Sequence, residues 1–233
     1  MSVHFIGFIP AAPLLVPELV GDAVERDEDL RDAVRRIVGI AADIQRDTGS
    51  TLVVIAEASQ TRDYVGSWDF GSLGGRRDMQ GYVEPTSVLP TALGIGAWFL
   101  DDIGARGTRR YLGIAPELTP TQCADLGRDL SGDTVLLVIG DGSACHGDKS
   151  PGSHDPRAEA FDAGVAAALR SADPRGLLSL DPDEAEHLLV RGRAPWQVAA
   201  GAAEAGAWRG DLVMDDRRYG VAYMVAAWIP VDA

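Results

Sequence analysis

Two six-residue runs limit the choice of fold more than anything else in this chain: Thr51-Leu52-Val53-Val54-Ile55-Ala56 and Thr134-Val135-Leu136-Leu137-Val138-Ile139. Each is apolar at every position after a leading threonine. A strand with one wet face alternates apolar and polar residues, so an unbroken run belongs in a sheet covered on both sides. Such a cover is made of helices, and the segments between the runs supply them. Over residues 27–47, Leu30, Val34, Ile37, Val38, Ala41 and Ile44 recur at helical spacing with charges between them, the pattern of a helix packed along one side. Residues 91–103, 119–130, 158–172 and 195–206 read as further helices. Thr119 before Pro120 is an N-cap followed by a favoured first-turn proline. Asp181, Pro182 and Glu184 make a helix start in capping-box register. Residues 4–9 and 111–114 read as strands, and 211–215 with 219–228 as a closing pair around the turn Asp216-Arg217-Arg218. The expectation is an α/β fold: a single domain with a mostly parallel central sheet flanked by helices on both faces.

The 233 residues, 46% of them hydrophobic, suffice for one sizeable core. A formal net charge of -14 argues against nucleic acid and anionic membranes as partners, because both repel an acidic surface. The apolar runs fall short of the roughly 20 residues needed to span a bilayer. Met1-Ser2-Val3-His4 lacks the basic region of a signal peptide, and two cysteines, Cys123 and Cys145, do not make a disulfide framework. These features point to the cytoplasm.

In open sheets of this class, ligands bind outside the carboxyl ends of the strands. Three polar or irregular segments leave such ends: residues 10–21, those from Glu57 onward, and those from Gly140 onward. If their strands are parallel neighbours, the segments converge on one crevice. The third is the richest in donors, with His146 and His154 beside Asp141, Asp148 and Asp155. Oxygen and nitrogen donors suit a divalent metal. The alternative is a solvated loop whose aspartates cap turns and the helix that follows. Cys145 beside His146 suggests a thiol nucleophile, but sequence neighbours seldom point at each other and no cysteine-protease signature accompanies them. His4 opens the first strand, so it belongs at the far end from the crevice, while His187 sits inside a helix. The segment Gly71-Ser72-Leu73-Gly74-Gly75-Arg76-Arg77 reads either as an anion cradle or as a surface turn. Trp68, Phe70 and Tyr82 read either as the floor of a pocket or as core.

The ordered set of loops resembles a known family. Ile9-Pro10-Ala11-Ala12-Pro13-Leu14-Leu15-Val16-Pro17-Glu18 is similar to the first-strand loop of the class III extradiol ring-cleavage dioxygenase B-subunit superfamily. Gly140-Asp141-Gly142-Ser143, Pro151-Gly152, Asp155-Pro156-Arg157-Ala158, Gly192-Arg193-Ala194-Pro195-Trp196-Gln197-Val198 and Tyr219-Gly220-Val221-Ala222-Tyr223 resemble a small actinobacterial branch of it. The resemblance implies that family's α/β domain over residues 1–233. Active members hold a non-haem Fe(II) on two histidines and a carboxylate, with positions left open for catechol and dioxygen. Carried over residue by residue, the first histidine falls at Ala11 and the second at Glu57-Ala58, best at Ala58. The acid/base histidine after Ser143 falls at Ala144. A methyl group donates nothing to a metal, so iron is not an expected cofactor.

Two functions follow. The first is a degenerate relative that binds an unidentified small molecule in a pocket at Ala11, Ala12, Glu57, Ala58, Ser143 and Ala144 without catalysis, or acts as an interaction protein. The second is a metal-dependent oxidoreductase or hydrolase on a rebuilt site, with His146 and Asp141 as catalytic groups, Glu57 beside them and a divalent metal that is not inherited. The chain alone or as a homodimer, or as partner subunit to an active homologue, accommodates either.

Overall fold

The structure, a computed structural model, describes residues 3–73, 87–130 and 132–231. Seven strands, β1 (Val3–Ile9), β2 (Thr51–Glu57), β3 (Arg62–Tyr64), β4 (Arg109–Ile114), β5 (Thr134–Ile139), β6 (Trp208–Asp216) and β7 (Tyr223–Pro230), form one sheet in the order β3-β4-β2-β5-β1-β7-β6. The central four, β4, β2, β5 and β1, are parallel. The edges are antiparallel: β3 on β4, β7 on β1, and β6 on β7. Among the described residues eight α-helices accompany them: α1 (Pro17–Val20), α2 (Glu28–Thr48), α3 (Thr91–Asp102), α4 (Pro120–Asp129), α5 (Arg157–Ser171), α6 (Pro174–Leu178), α7 (Pro182–His187) and α8 (Arg193–Ala203).

The unbroken apolar runs are the two central strands β2 and β5, and each side of the sheet carries its own core. Alternate residues of β1 divide between them. Phe5 and Ile9 join Leu30, Val34 and Ile37 of α2 and Leu93 of α3 on one face. Ile6 and Phe8 join Phe161 and Val165 of α5 and Trp196 and Val198 of α8 on the other. Phe8 meets Trp228 edge-on at 5.0 Å between ring centres, and the Trp228 indole N–H donates to the Leu169 carbonyl at 2.9 Å. Gly7 lets α2 lie close to the sheet, since a Cβ there would stand 2.7 Å from Cγ2 of Ile37. Gly127 and Gly201 play the same part between α4 and α8, where either added carbon would strike the opposite backbone.

Most expected elements lie within two or three residues of the observed ones. Thr119 caps α4 in a full capping box with Gln122, and the Asp181 side chain accepts from the Glu184 amide at 2.9 Å. The expected last strand begins later, at Tyr223, because Arg218–Gly220 forms a 3-10 turn with Tyr219 at φ +60°. Arg218 holds that turn by ion pairs to Asp27, Asp29 and Asp216. β3, α1 and α6 are too short to show a period in the sequence. Of the glycine-arginine segment, residues 74–77 lie outside the described residues, as does Tyr82. Trp68 and Phe70 stack at 5.5 Å and lie against Gly94 of α3, which makes them packing rather than pocket floor. Among the described residues, no helix is long and apolar enough to cross a membrane.

Candidate functional site

The three loop-bearing strands are parallel neighbours in the order β2-β5-β1, as the crevice requires. The loops after β1 and β5 meet directly: the Ala11 amide donates to Oδ1 of Asp141 at 2.8 Å. The loop after β5 then runs along the entry to β7. Gly142 donates its amide to the Ala222 carbonyl at 2.9 Å, and Ala222 donates back to the Ser143 carbonyl at 2.9 Å. Gly142 has no room for a side chain there, as an added Cβ would lie 2.7 Å from that of Ala222. On the other side the Gly192 amide donates to the Asp141 carbonyl at 2.9 Å. Asp141 is thus held by backbone from two elements while its carboxyl points past Ala11.

A cavity of about 290 Å³ opens here, lined by Ala12, Leu14, Asp141, Ala144, Leu189 and Tyr223, with Val221, Arg191, Pro13, Gly142 and Pro151 completing the wall. The lining is mostly apolar, as in small-molecule sites generally, which add a few placed polar groups. The polar side chains in this wall are Asp141, Tyr223 and Arg191, the last of which also bonds Glu57. Asp141 retains some exposed surface through the cavity, yet protein atoms crowd its carboxyl. Burial pushes that carboxyl up to about 7, and the single Ala11 amide offsets only part of the shift. Tyr223 is 5% exposed, and its hydroxyl has no hydrogen-bond partner among the described residues. Burial first, then the charge of Asp141, pushes its phenol above the ordinary range.

A second hollow of about 420 Å³ adjoins the first and shares Leu189 and Arg191 with it; Glu57, Glu117, Asp183 and Glu186 contribute carboxylates to its wall. Glu57 accepts from the Arg191 guanidinium at 2.7 Å. Burial raises the Glu57 carboxyl above its usual range, and Arg191 opposes the shift. Arg193, also in this wall, is committed to structure: it donates to the Leu118 carbonyl at 2.6 Å and to the Gln197 side chain at 3.1 Å.

The residues singled out from the sequence divide accordingly. Ala12 and Ala144 line the cavity, and Ala11 reaches it through its amide. Ser143 and His146 lie behind the cavity wall, around Asp162 of α5. Asp162 is fully buried. It accepts the Ser143 amide at 3.0 Å, the Ser143 hydroxyl at 2.6 Å and Nε2 of His146 at 2.6 Å. Nδ1 of His146 lies 3.6 Å from the Glu159 carboxylate. Ala58 lines neither hollow; it is buried at the end of β2, with its amide bonded to the Ile114 carbonyl.

The three side chains expected in a rebuilt site, His146, Asp141 and Glu57, are each engaged separately. Three different partners hold the three side chains, namely Asp162, the Ala11 amide and Arg191. The donor-rich loop does not gather either. His154 and Asp148 are exposed, and Asp155 accepts from the Arg157 amide at 2.9 Å at the start of α5. Among the described residues no group of three or more His, Cys, Asp or Glu is placed to hold a metal ion. The Cys145 thiol is buried, 3.5 Å from the Leu188 carbonyl, and burial raises its pKa, the reverse of an activated nucleophile. His4 bonds Asp133 at the opposite end of the sheet, and the His187 ring bonds its own helix at Asp183.

Tyr223, Leu189 and Arg191 went unnoticed as cavity residues in the sequence. A signal existed for Tyr223: a strand antiparallel to β1 begins where β1 ends, so its first residue borders the crevice. None existed for the loop between α7 and α8, whose position depends on packing.

No protein-family model matches the sequence, and no curated protein matches it. Among solved structures, an uncharacterised protein from Escherichia coli K12 is similar, with a TM-score of 0.54 and 15% identity over 97% of this chain and 99% of that one. The likeness extends over both chains from end to end and concerns the fold alone.

Proposed function

We propose that this chain is a degenerate relative of the class III extradiol dioxygenases, which binds a small organic molecule at the Asp141–Tyr223 cavity without iron. The ordered loop motifs support the kinship. The observation that carries binding is the cavity itself: apolar walls at the carboxyl ends of parallel strands, an enclosed carboxyl with one partner, and a tyrosine hydroxyl with none among the described residues. A ligand in the cavity would give both groups a partner. The residues present do not fit a ferrous ion. Methyl groups stand at Ala11, Ala58 and Ala144; Ala144 lines the cavity, Ala11 meets Asp141 only through its amide, and Ala58 lies away from it, and among the described residues Asp141 is the one carboxylate in the cavity wall. No catalytic step is derived through iron. We place the protein in the cytoplasm, where its two buried thiols remain reduced.

Protein-observed NMR of the isotope-labelled chain with a library of small aromatic and aliphatic fragments tests the reading. Bound fragments should shift the backbone resonances of Ala12, Ala144, Val221 and Tyr223, and Leu14→Trp, at the partly exposed wall, should abolish the shifts. A library with no binders, or binders that map elsewhere, overturns it. Metal analysis of the purified protein should find far less than one equivalent of iron, manganese or zinc; a full equivalent overturns the iron-free part.

A further inference from the structure

Resting on that reading, we infer that the ligand is an organic ammonium: a compact apolar body bearing one protonated amine, which Asp141 and Tyr223 receive together. The enclosed carboxyl of Asp141 accepts one amide hydrogen bond, from Ala11, and leaves its remaining lone pairs toward the cavity. A carboxylate normally enters such a place with a cation beside it, because an unpaired buried charge is costly. The charged and titratable groups around it supply none. Arg191, in the cavity wall, gives one N–H of its guanidinium to Glu57 and none to Asp141. Tyr223 of β7 offers only a neutral hydroxyl. Asp162 of α5, under Gly142, adds negative charge and is itself occupied by Ser143 and His146. Asp27 and Arg218, which act on Tyr223 from beyond the cavity, pair with one another.

A primary ammonium answers what is missing. It donates to the carboxylate of Asp141 and to the oxygen of Tyr223, and its hydrocarbon lies against Ala12, Leu14, Val221 and Leu189. The adjoining hollow, with Glu57, Glu117, Asp183 and Glu186, surrounds the approach with negative potential. A ligand carboxylate would meet Asp141 with like charge. A neutral alcohol would satisfy the hydrogen bonds but leave the charge of Asp141 uncompensated.

The dependence on pH follows with a definite sign. The cation needs ionised Asp141, whose carboxyl titrates at about 7 in the empty protein. Affinity is full above that value and falls about tenfold for each unit below it. The amine stays protonated up to about pH 10, so it contributes nothing to the change.

Isothermal titration of the full chain with phenethylamine, 2-phenylethanol and phenylacetate, from about pH 5.5 to about 8.5, tests this directly. Phenethylamine should bind about tenfold or more tightly than 2-phenylethanol at the upper end and lose that advantage toward the lower. Asp141→Asn keeps an acceptor for the Ala11 amide and so preserves the fold. It should remove the advantage of the amine over 2-phenylethanol at every pH. Tyr223→Phe should weaken phenethylamine about threefold to tenfold without moving the pH profile. Equal affinities for amine and alcohol, a preference for phenylacetate, or an amine affinity indifferent to Asp141→Asn would overturn the ammonium assignment. In those cases neutral fragments still mapping to the cavity would leave its role as a binding site standing, whereas silence from all fragments would end both.

Discussion

Two aspartates occupy neighbouring places behind and within the same loop, and their circumstances differ in every respect that matters. Asp162 is fully buried and saturated, with three donors at 2.6–3.0 Å from Ser143 and His146. Asp141 has one donor and faces a cavity. A buried carboxylate surrounded by donors is part of the scaffold: it ties the loop after β5 to α5 and has no bonding capacity left to offer. A carboxyl that is enclosed and under-bonded is destabilising in its charged form, and its raised pKa records that cost. The difference separates what holds the loop from what the loop presents.

The sharpest way to break the comparison is Asp162→Ala. It strands the Ser143 hydroxyl and the His146 ring in the interior, and unfolding in urea should show a loss of about 3–5 kcal/mol. A loss below about 1 kcal/mol would mean that the cluster is not structural.

Asp141→Asn should act in the opposite direction. The fold raises the Asp141 carboxyl from 3.8 to about 7, so it favours the protonated form. The stability tied to that form is complete below the unfolded value and is lost as pH rises toward the folded one. Relative to the Asn variant, the wild-type protein should therefore lose roughly 1–3 kcal/mol of stability between about pH 4 and about pH 7. Urea titrations at both ends of that window measure the difference, and parallel curves for the two proteins would contradict the description of Asp141.

Smaller effects sharpen the contrast at its edges. Arg191→Ala removes an ion pair whose cationic side chain is 62% exposed, and the cost should stay under about 1 kcal/mol at low salt and shrink in high salt. Tyr223→Phe should change stability by less than about 0.5 kcal/mol, since its hydroxyl has no protein partner to lose. A large loss in thermal midpoint for that variant would reveal a hydrogen bond that the cavity description lacks.

The architecture was legible because its signals are local. Unbroken apolar runs reported β2 and β5, the spacing of Leu30, Val34, Ile37 and Val38 reported α2, and Thr119 and Asp181 marked helix starts by their own side-chain chemistry. The site was legible in part. The placement of ligands at the carboxyl ends of parallel strands led to the loops after β1, β2 and β5, and the family resemblance led within them to Ala11, Ala58 and Ala144. Of the residues singled out, Ala12, Asp141 and Ala144 line the cavity, whereas Ala58 and His146 do not. Residues adjacent in a loop leave it in different directions, and sequence does not say which side chain turns inward: Asp141 faces the cavity, while Ser143 and His146 turn back toward α5.

Sequence alone thus determined the class of fold, the helices that cover the sheet and the strand ends that border the cavity, because periodicity and capping depend on residues a few positions apart. Only the tertiary structure decided that Tyr223 and Arg191 border the same hollow as Asp141, and that Asp162 rather than Asp141 takes the imidazole of His146. Those pairings join segments tens of residues apart, and packing of β7 and α5 against the loop, not any local pattern, sets which donors each carboxyl meets.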